Sequence, residues 1–150
     1  MAWTAPLTWT TGALVTAAQF NQQIRDNLNV LNPTALTLTV DGGGAAITTG
    51  SKLFFSVPFG LAWDQWDIYT PGEPSSIQFH IYAVSYGGFP PTGADTKTGA
   101  SPIQTSSAAK GTDTNPSAWT ALTQGQAAVL VACAVSGVTR AFVSLWYTKT

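Results

Sequence analysis

Few side chains in this sequence could take part in catalysis. Its 150 residues include one histidine, His80, one cysteine, Cys133, and one glutamate, Glu73, together with six aspartates. An enzyme needs ionisable or nucleophilic groups that lie close together. A pair of carboxylates for glycoside cleavage would have to come from Asp64, Asp67 and Glu73.

Aromatic rings stand beside two of these acids, since Trp63 precedes Asp64 and Trp66 precedes Asp67. Acids next to aromatic rings are typical of sugar sites, but they are also common in turns between core strands. No G-x-S-x-G motif surrounds any serine. We therefore expect no enzymatic activity, and we expect His80 to pack or to form hydrogen bonds.

No metal or cofactor site is expected either. The sequence has no C-x-x-C, H-x-x-x-H or calcium-loop motif. The run Gly42-Gly43-Gly44 is not followed by Lys-Ser/Thr or by a helix, so it predicts a turn. Cys133 lies in the apolar run 127–135, where we expect a small buried side chain, and a single cysteine cannot form an intrachain disulfide.

Several aromatic residues could instead bind a glycan. Exposed rings stack on sugars, whereas buried rings form the core of small β-domains. The sequence leaves both alternatives open. The candidates are Trp63, Trp66, Tyr69, Tyr82, Tyr86 and Trp146.

The composition points away from nucleic acid and membranes. Charged residues make up 9% of the chain and the net charge is −1, so there is no basic field for nucleic acid or anionic lipid. The start, MAWTAPLTW, does not resemble a secretory signal, and no apolar run is long enough to cross a bilayer. We expect synthesis in the cytoplasm, and the scarcity of charge favours assembly into an oligomer.

The first 15 residues predict an extended docking arm. Pro6 and Gly12 interrupt regular structure, yet the segment contains Trp3 and Trp9. Such large apolar rings must pack on the body of this protein or on a partner, and we expect Trp3, Pro6 and Trp9 to dock on another protein chain.

Residues 16–32 predict one amphipathic helix. Thr16 and Gln19 can form a capping box, and Asn32-Pro33 ends the helix. A narrow apolar stripe follows the helical period. We expect it to be buried against the β-domain or against sister helices, and its members are Phe20, Ile24, Leu28 and Leu31.

Residues 33–150 predict an all-β domain, a β-sandwich or jelly roll, because apolar residues alternate with polar ones and turn signals separate about eight short runs. We expect 87–116 to be loop with at most one edge strand near 103–105, and 118–122 to be a strand. Trp63 and Trp66 are three residues apart, so either a bulge near Asp64-Gln65 aligns them or one points outward.

The opening segment also resembles a known family. The pattern W-T-x-P-x-T-W-x-x-G-x-x-V-T-A-A-x-x-N-x-x-I-R-D-N-L-N-x-L, carried by Trp3 through Leu31, is similar to the N-terminal segment of many minor structural and tail-fibre-like proteins of tailed bacteriophages. The remainder resembles a β-domain of phage virion proteins, from 47–50 through Trp66 and Trp119 to 138–140. It departs from that pattern at His80 and Gln126, where aspartate is usual.

This resemblance implies a non-enzymatic component of the virion: a capsid decoration protein, a head fibre, or a tail or tail-fibre subunit. It implies that the partners are capsid or tail subunits and that the chain is a homo-oligomer, with a trimer favoured. The alternative is a glycan-binding module of a phage adhesin. The resemblance supplies no catalytic residues.

Overall fold

The computed structural model describes residues 8, 14, 16–26, 35–72 and 75–150. Contacts within the chain divide it into two compact units, residues 1–33 and residues 34–150. The division falls next to the predicted start of the β-domain at residue 33.

In the N-terminal unit, helix α1 (Ala17–Phe20) continues as a π-helix, Asn21–Asp26. The predicted capping box is confirmed. Thr16 Oγ1 accepts a hydrogen bond from the Gln19 N–H at 3.2 Å, and Gln19 Oε1 accepts one from the Thr16 N–H at 3.0 Å. The π-helical turn was not predicted. A cap and an apolar stripe indicate a helix, but they do not distinguish α-helical from π-helical hydrogen bonding. Residues 27–32 of the predicted helix lie outside the described residues.

The second unit has eight strands within its described residues, and they confirm the predicted β-sandwich. A first sheet has the strand order β1-β8-β3-β6 and a second sheet has the order β2-β7-β4-β5. The short 3₁₀ helices Tyr86–Gly88 and Gly93–Asp95 lie between β4 and β5. The strands are β1 (Ala35–Asp41), β2 (Lys52–Ser56), β3 (Leu61–Tyr69), β4 (Ser75–Ser85), β5 (Ile103–Ala108), β6 (Lys110–Asp113), β7 (Gln126–Ser136) and β8 (Arg140–Lys149).

The first strand pairs with the last, the second with the last but one, and so on toward the middle of the sequence. Strand β1 pairs with β8, β2 with β7, β3 with β6, and β4 with β5, always antiparallel. The chain is therefore a long antiparallel ribbon that turns back between β4 and β5. Wrapping this ribbon adds the pairs β3–β8 and β4–β7, which complete the two sheets.

The core lies between the inward faces of the two sheets. Along β4, Ile77, Phe79 and Ile81 are fully buried, while His80 and Tyr82 between them are half-buried on the opposite face. The alternation predicted for this strand is confirmed. One apolar cluster joins these residues of the second sheet to residues of the first, including Ile68, Val143 and Leu145. Burial of such side chains contributes about 1.5–3 kcal/mol each.

A β-bulge in β3 places two tryptophans on the core side. The pairing of β3 with β8 shifts between Trp63 and Gln65, so the predicted irregularity is confirmed. Trp66 is 5% exposed. Trp63 is half-buried, and its ring meets that of Trp119 edge-on with the centroids 5.4 Å apart.

Two strand predictions were wrong. Residues 103–113 form two strands, β5 and β6, rather than at most one. Residues 118–122 form no strand, because the Trp119 N–H donates to Pro116 O in a turn and Leu122 makes only an isolated bridge to Leu61. Within this segment Leu122 is buried and Trp119 packs against the core, without extended pairing.

Gly111 allows the two sheets to approach at their edge. A Cβ atom at this position of β6 would overlap the carbonyl oxygen of Gln104 in β5, and it would lie 3.2 Å from Ile68 Cγ2. Backbone carbonyls of paired strands have little room to move. The short, polar strand β6 can therefore join the first sheet only because residue 111 has no side chain.

We predict that Gly111→Ala destabilises the β-sandwich by about 1–3 kcal/mol, because the added methyl group must displace backbone atoms. Chemical denaturation monitored by tryptophan fluorescence measures this change. Gly93→Ala is the matched control, since a Cβ at Gly93 meets no atom within 4 Å. Equal stability of the two variants would contradict the proposed role of Gly111.

Candidate functional site

The register of the first sheet aligns its outward side chains in rows. Thr37 of β1 lies opposite Ser144 of β8, Ser144 lies opposite Asp67 of β3, and Asp67 lies opposite Thr112 of β6. These four residues form what we call the polar row. The hydroxyl oxygens of Thr37 and Ser144 are 3.3 Å apart.

Asp67 is the centre of a hydrogen-bond network on this face. Gln65 Nε2 donates to both carboxylate oxygens at 3.0 Å. The indole N–H of Trp146 donates to Asp67 Oδ2 at 2.8 Å, and Thr112 also forms a side-chain hydrogen bond with the carboxylate. The network ties strands β3, β8 and β6 together through side chains.

These contacts keep the Asp67 carboxylate ionised. Partial burial by itself would raise its pKa, but hydrogen bonds from Thr112, Gln65 and Trp146 together outweigh that effect and hold the pKa below the usual value of 3.8. Donors that favour the charged form lower the pKa of a carboxyl group. Asp67 is therefore an anion that holds the Trp146 indole in place.

Aromatic side chains lie on both sides of the polar row. Trp146, opposite Gln65, is 41% exposed, and Tyr69, opposite Phe142, is 52% exposed. Phe142 is half-buried. An open hollow of about 540 Å³ adjoins this second pair, and its lining includes Tyr69, Phe142, Pro71 and Lys110. We call the polar row with Gln65, Trp146, Tyr69, Phe142 and Lys110 the ring face.

The three acids considered for glycoside cleavage have separate surroundings. Asp64 lies at the bulge and accepts a hydrogen bond from Thr148 Oγ1 at 2.8 Å. Asp67 bonds to Trp146 instead, so each of these two carboxylates ties β3 to a different residue of β8. Glu73 lies outside the described residues.

His80 forms the hydrogen bond expected of it. Its Nδ1 lies 2.6 Å from Oγ1 of Thr98, and the Thr98 side chain is completely buried. Burial lowers the pKa of His80 below 6.5, which favours the neutral ring at physiological pH.

Cys133 departs from expectation because its side chain is half-buried rather than buried. The pairing of β4 with β7 shifts between Gln78 and Phe79, whose partners are Ala134 and Ala132. Cys133 is therefore the extra residue of a bulge. Its sulfur lies 4.0 Å from the Tyr82 hydroxyl.

The structure separates the six aromatic glycan candidates. Trp63 and Trp66 belong to the core and Tyr82 is half-buried, whereas Tyr69, Trp146 and Tyr86 are exposed, Tyr86 by 85%. Phe54 and Phe89, which the sequence analysis did not consider, also have half-exposed rings, with their centroids 5.5 Å apart. Exposure of this kind depends on strand register, which no local pattern reveals.

Most of the predicted docking residues cannot be compared with the structure. Trp3, Pro6, Trp9, Leu28 and Leu31 lie outside the described residues, as does the Phe20 side chain. Ile24 is 44% exposed and Leu14 is 94% exposed. The N-terminal unit thus presents apolar side chains at its surface.

Within the described residues, no cluster of three or more His, Cys, Asp or Glu side chains could hold a metal ion. None of the helices in that part of the chain has the length and apolar character needed to cross a bilayer.

We predict that Asp67→Asn lowers the free energy of unfolding at pH 7 by about 1 kcal/mol, since a neutral amide accepts weaker hydrogen bonds. Because the folded-state pKa of Asp67 is depressed, its stabilising effect is fully present above the unfolded pKa and disappears as the pH falls through the folded pKa. The difference between parent and variant should therefore shrink in acid. Urea denaturation over a pH series measures it, and a difference independent of pH would refute this account.

Comparison with protein-family models, with curated protein sequences and with solved structures finds no match. The function of the chain is therefore inferred from its sequence patterns and from the geometry of its described residues.

Proposed function

We propose that this chain is a non-enzymatic structural component of a tailed-bacteriophage particle: a capsid decoration protein, a head fibre, or a tail or tail-fibre subunit. The N-terminal arm and helix attach the chain to other virion proteins. The β-sandwich projects from the particle surface or cements neighbouring subunits of that surface. The chain is made in the host cytoplasm and resides in the virion. We propose that the sandwich is a jelly roll, a fold used in viral capsids, and the pairing of the first strand with the last and so on inward supports this.

The observation that carries this proposal is the surface of the N-terminal unit. That unit is distinct from the sandwich, and it exposes Leu14 and Ile24. Exposed apolar side chains on a small unit favour a partner surface. The same unit contains the sequence pattern that resembles phage structural proteins.

We predict that removing residues 1–12 leaves a folded β-sandwich that no longer enters particles. Trp3 and Trp9 are the expected anchors, and truncation of such anchors costs about 2 kcal/mol or more each. Particles are grown without the native gene and supplied with the variant. They are then purified, and mass spectrometry measures how much of the protein they contain. Trp9→Ala should reproduce the loss, whereas Thr8→Ala, at a neighbouring exposed position, should not. Normal incorporation of the truncated chain would overturn the docking role.

The apolar stripe of the helix supports a homo-oligomer, with three copies as the favoured number. An exposed isoleucine on a narrow stripe can be covered by the same stripe on a sister chain. A chain with few charges can also bury much of its surface without burying unpaired ions.

We predict that the parent is a trimer by light scattering and that Ile24→Asp is a monomer, because the introduced carboxylate would be buried without a partner. Gln22→Asp is the matched control. It adds the same charge at an exposed position outside the stripe, and it should remain trimeric. Identical masses for the parent and Ile24→Asp would rule out this seam.

A second candidate function is recognition of a host-surface glycan. It is favoured by the exposed rings of Tyr69, Tyr86 and Trp146. This role is compatible with a structural one, since the sandwich would carry the binding surface while the N-terminal unit attaches it.

A further inference from the structure

The ring face carries its aromatic side chains at a defined spacing. Trp146 and Phe142 lie four residues apart on the same side of β8, and Tyr69 lies opposite Phe142 on β3. Four residues of a strand span about 13 Å. One aromatic group therefore stands at each end of a strip that is longer than a single sugar ring.

The ring at one end of the strip is held in position. The Trp146 indole N–H donates to Asp67 Oδ2 at 2.8 Å, while Gln65 Nε2 binds both oxygens of the same carboxylate. An exposed side chain fixed in this way loses little conformational entropy when a ligand stacks on it.

Hydroxyl groups occupy the space between the two aromatic ends. The polar row crosses the strip there: Ser144 and Thr112 lie on either side of Asp67, and Thr37 lies beyond Ser144 on β1. At the far end, Lys110 lies opposite Tyr69 and lines the hollow. The face therefore alternates between flat apolar rings and hydrogen-bonding groups.

We propose that the ring face binds an oligosaccharide that lies along β8. Sugar rings stack on Trp146 at one end and on Tyr69 and Phe142 at the other, and the hydroxyls of the sugar between them bond to the polar row. A sugar chain has the same alternation, since each ring offers a C–H face and an edge of hydroxyls. This inference locates the second candidate function on one named surface.

Other ligand classes fit the face less well. A protein partner would favour a continuous apolar patch, whereas here a row of polar side chains separates the rings. Nucleic acid would need a basic surface, and the charge of Lys110 is offset by that of Asp67. The exposed pair of Phe54 in β2 and Phe89 in the connection between β4 and β5 lacks a comparable network among its described contacts, so it does not belong to the site.

The test uses the full-length protein free of particles. It is applied to an array of bacterial surface polysaccharides that also displays cellotetraose, chitotetraose, maltotetraose and a hyaluronan tetrasaccharide. Positive glycans are then titrated by tryptophan fluorescence. We expect saturable binding to at least one of them. If none of the glycans shows saturable binding at millimolar concentration, the proposal is wrong.

Variants identify the binding surface. Trp146→Ala and Tyr69→Ala should each raise the Kd about tenfold or more, and Trp146→Phe, which keeps a ring, should recover part of the affinity. Tyr86→Ala is the control, because it removes a ring that is more exposed, at 85%, but is not part of the ring face. Thermal melts confirm that each variant is folded. Binding that survives both alanine substitutions, or that depends on Tyr86, would place the site elsewhere and refute the inference.

The inference and the attachment role fail independently. Truncation of the N-terminal arm should leave the Kd for the glycan unchanged, and loss of the ring face should leave incorporation into particles unchanged.

Discussion

The structure of the β-sandwich depends on one constraint: a single layer of apolar side chains must be buried between two sheets. Because side chains alternate along a strand, burial of Ile68 and Leu145 determines that Asp67, Tyr69 and Trp146 face outward. The bulge between Trp63 and Gln65 keeps this arrangement intact, since it returns both tryptophans to the core side and leaves Gln65 beside Asp67. The ring face is therefore the outer face of the first sheet, whose inner face forms part of the core.

Much of this fold could be predicted from local sequence patterns, but the candidate site could not. Alternation predicted β4, and the Thr16–Gln19 pair predicted the helix cap, because each signal lies within a few residues. Strand β6 had no such signal, since it is short and polar and depends on the close approach that Gly111 permits. Trp146 and Asp67 are 79 residues apart, and only the register between β8 and β3 brings them together.

The two units suggest a division of roles within the proposed function. The N-terminal unit carries exposed apolar side chains and the family-like sequence pattern, which favour attachment. The sandwich carries an outward face with ordered aromatic and polar side chains, which favours recognition. Scarcity of charge suits both roles, because neither a protein interface nor a sugar site gains from many unpaired ions. The residues proposed for the two roles lie in different units, so substitutions in one unit need not affect the other role.

The pairing of the first strand with the last has a mechanical consequence. Ala35, where β1 begins, lies opposite Trp146 near the end of β8. A force that separated these two neighbouring ends would unzip the ladder, breaking its hydrogen bonds one after another. A pull that enters through residue 35 and leaves through Phe142, which lies opposite Thr39, is directed along the strands instead, so the bonds between β1 and β8 share the load in shear. A load carried at the Phe142 end of the ring face would therefore strain the ladder in its strong direction, whereas a load carried at Trp146 would not.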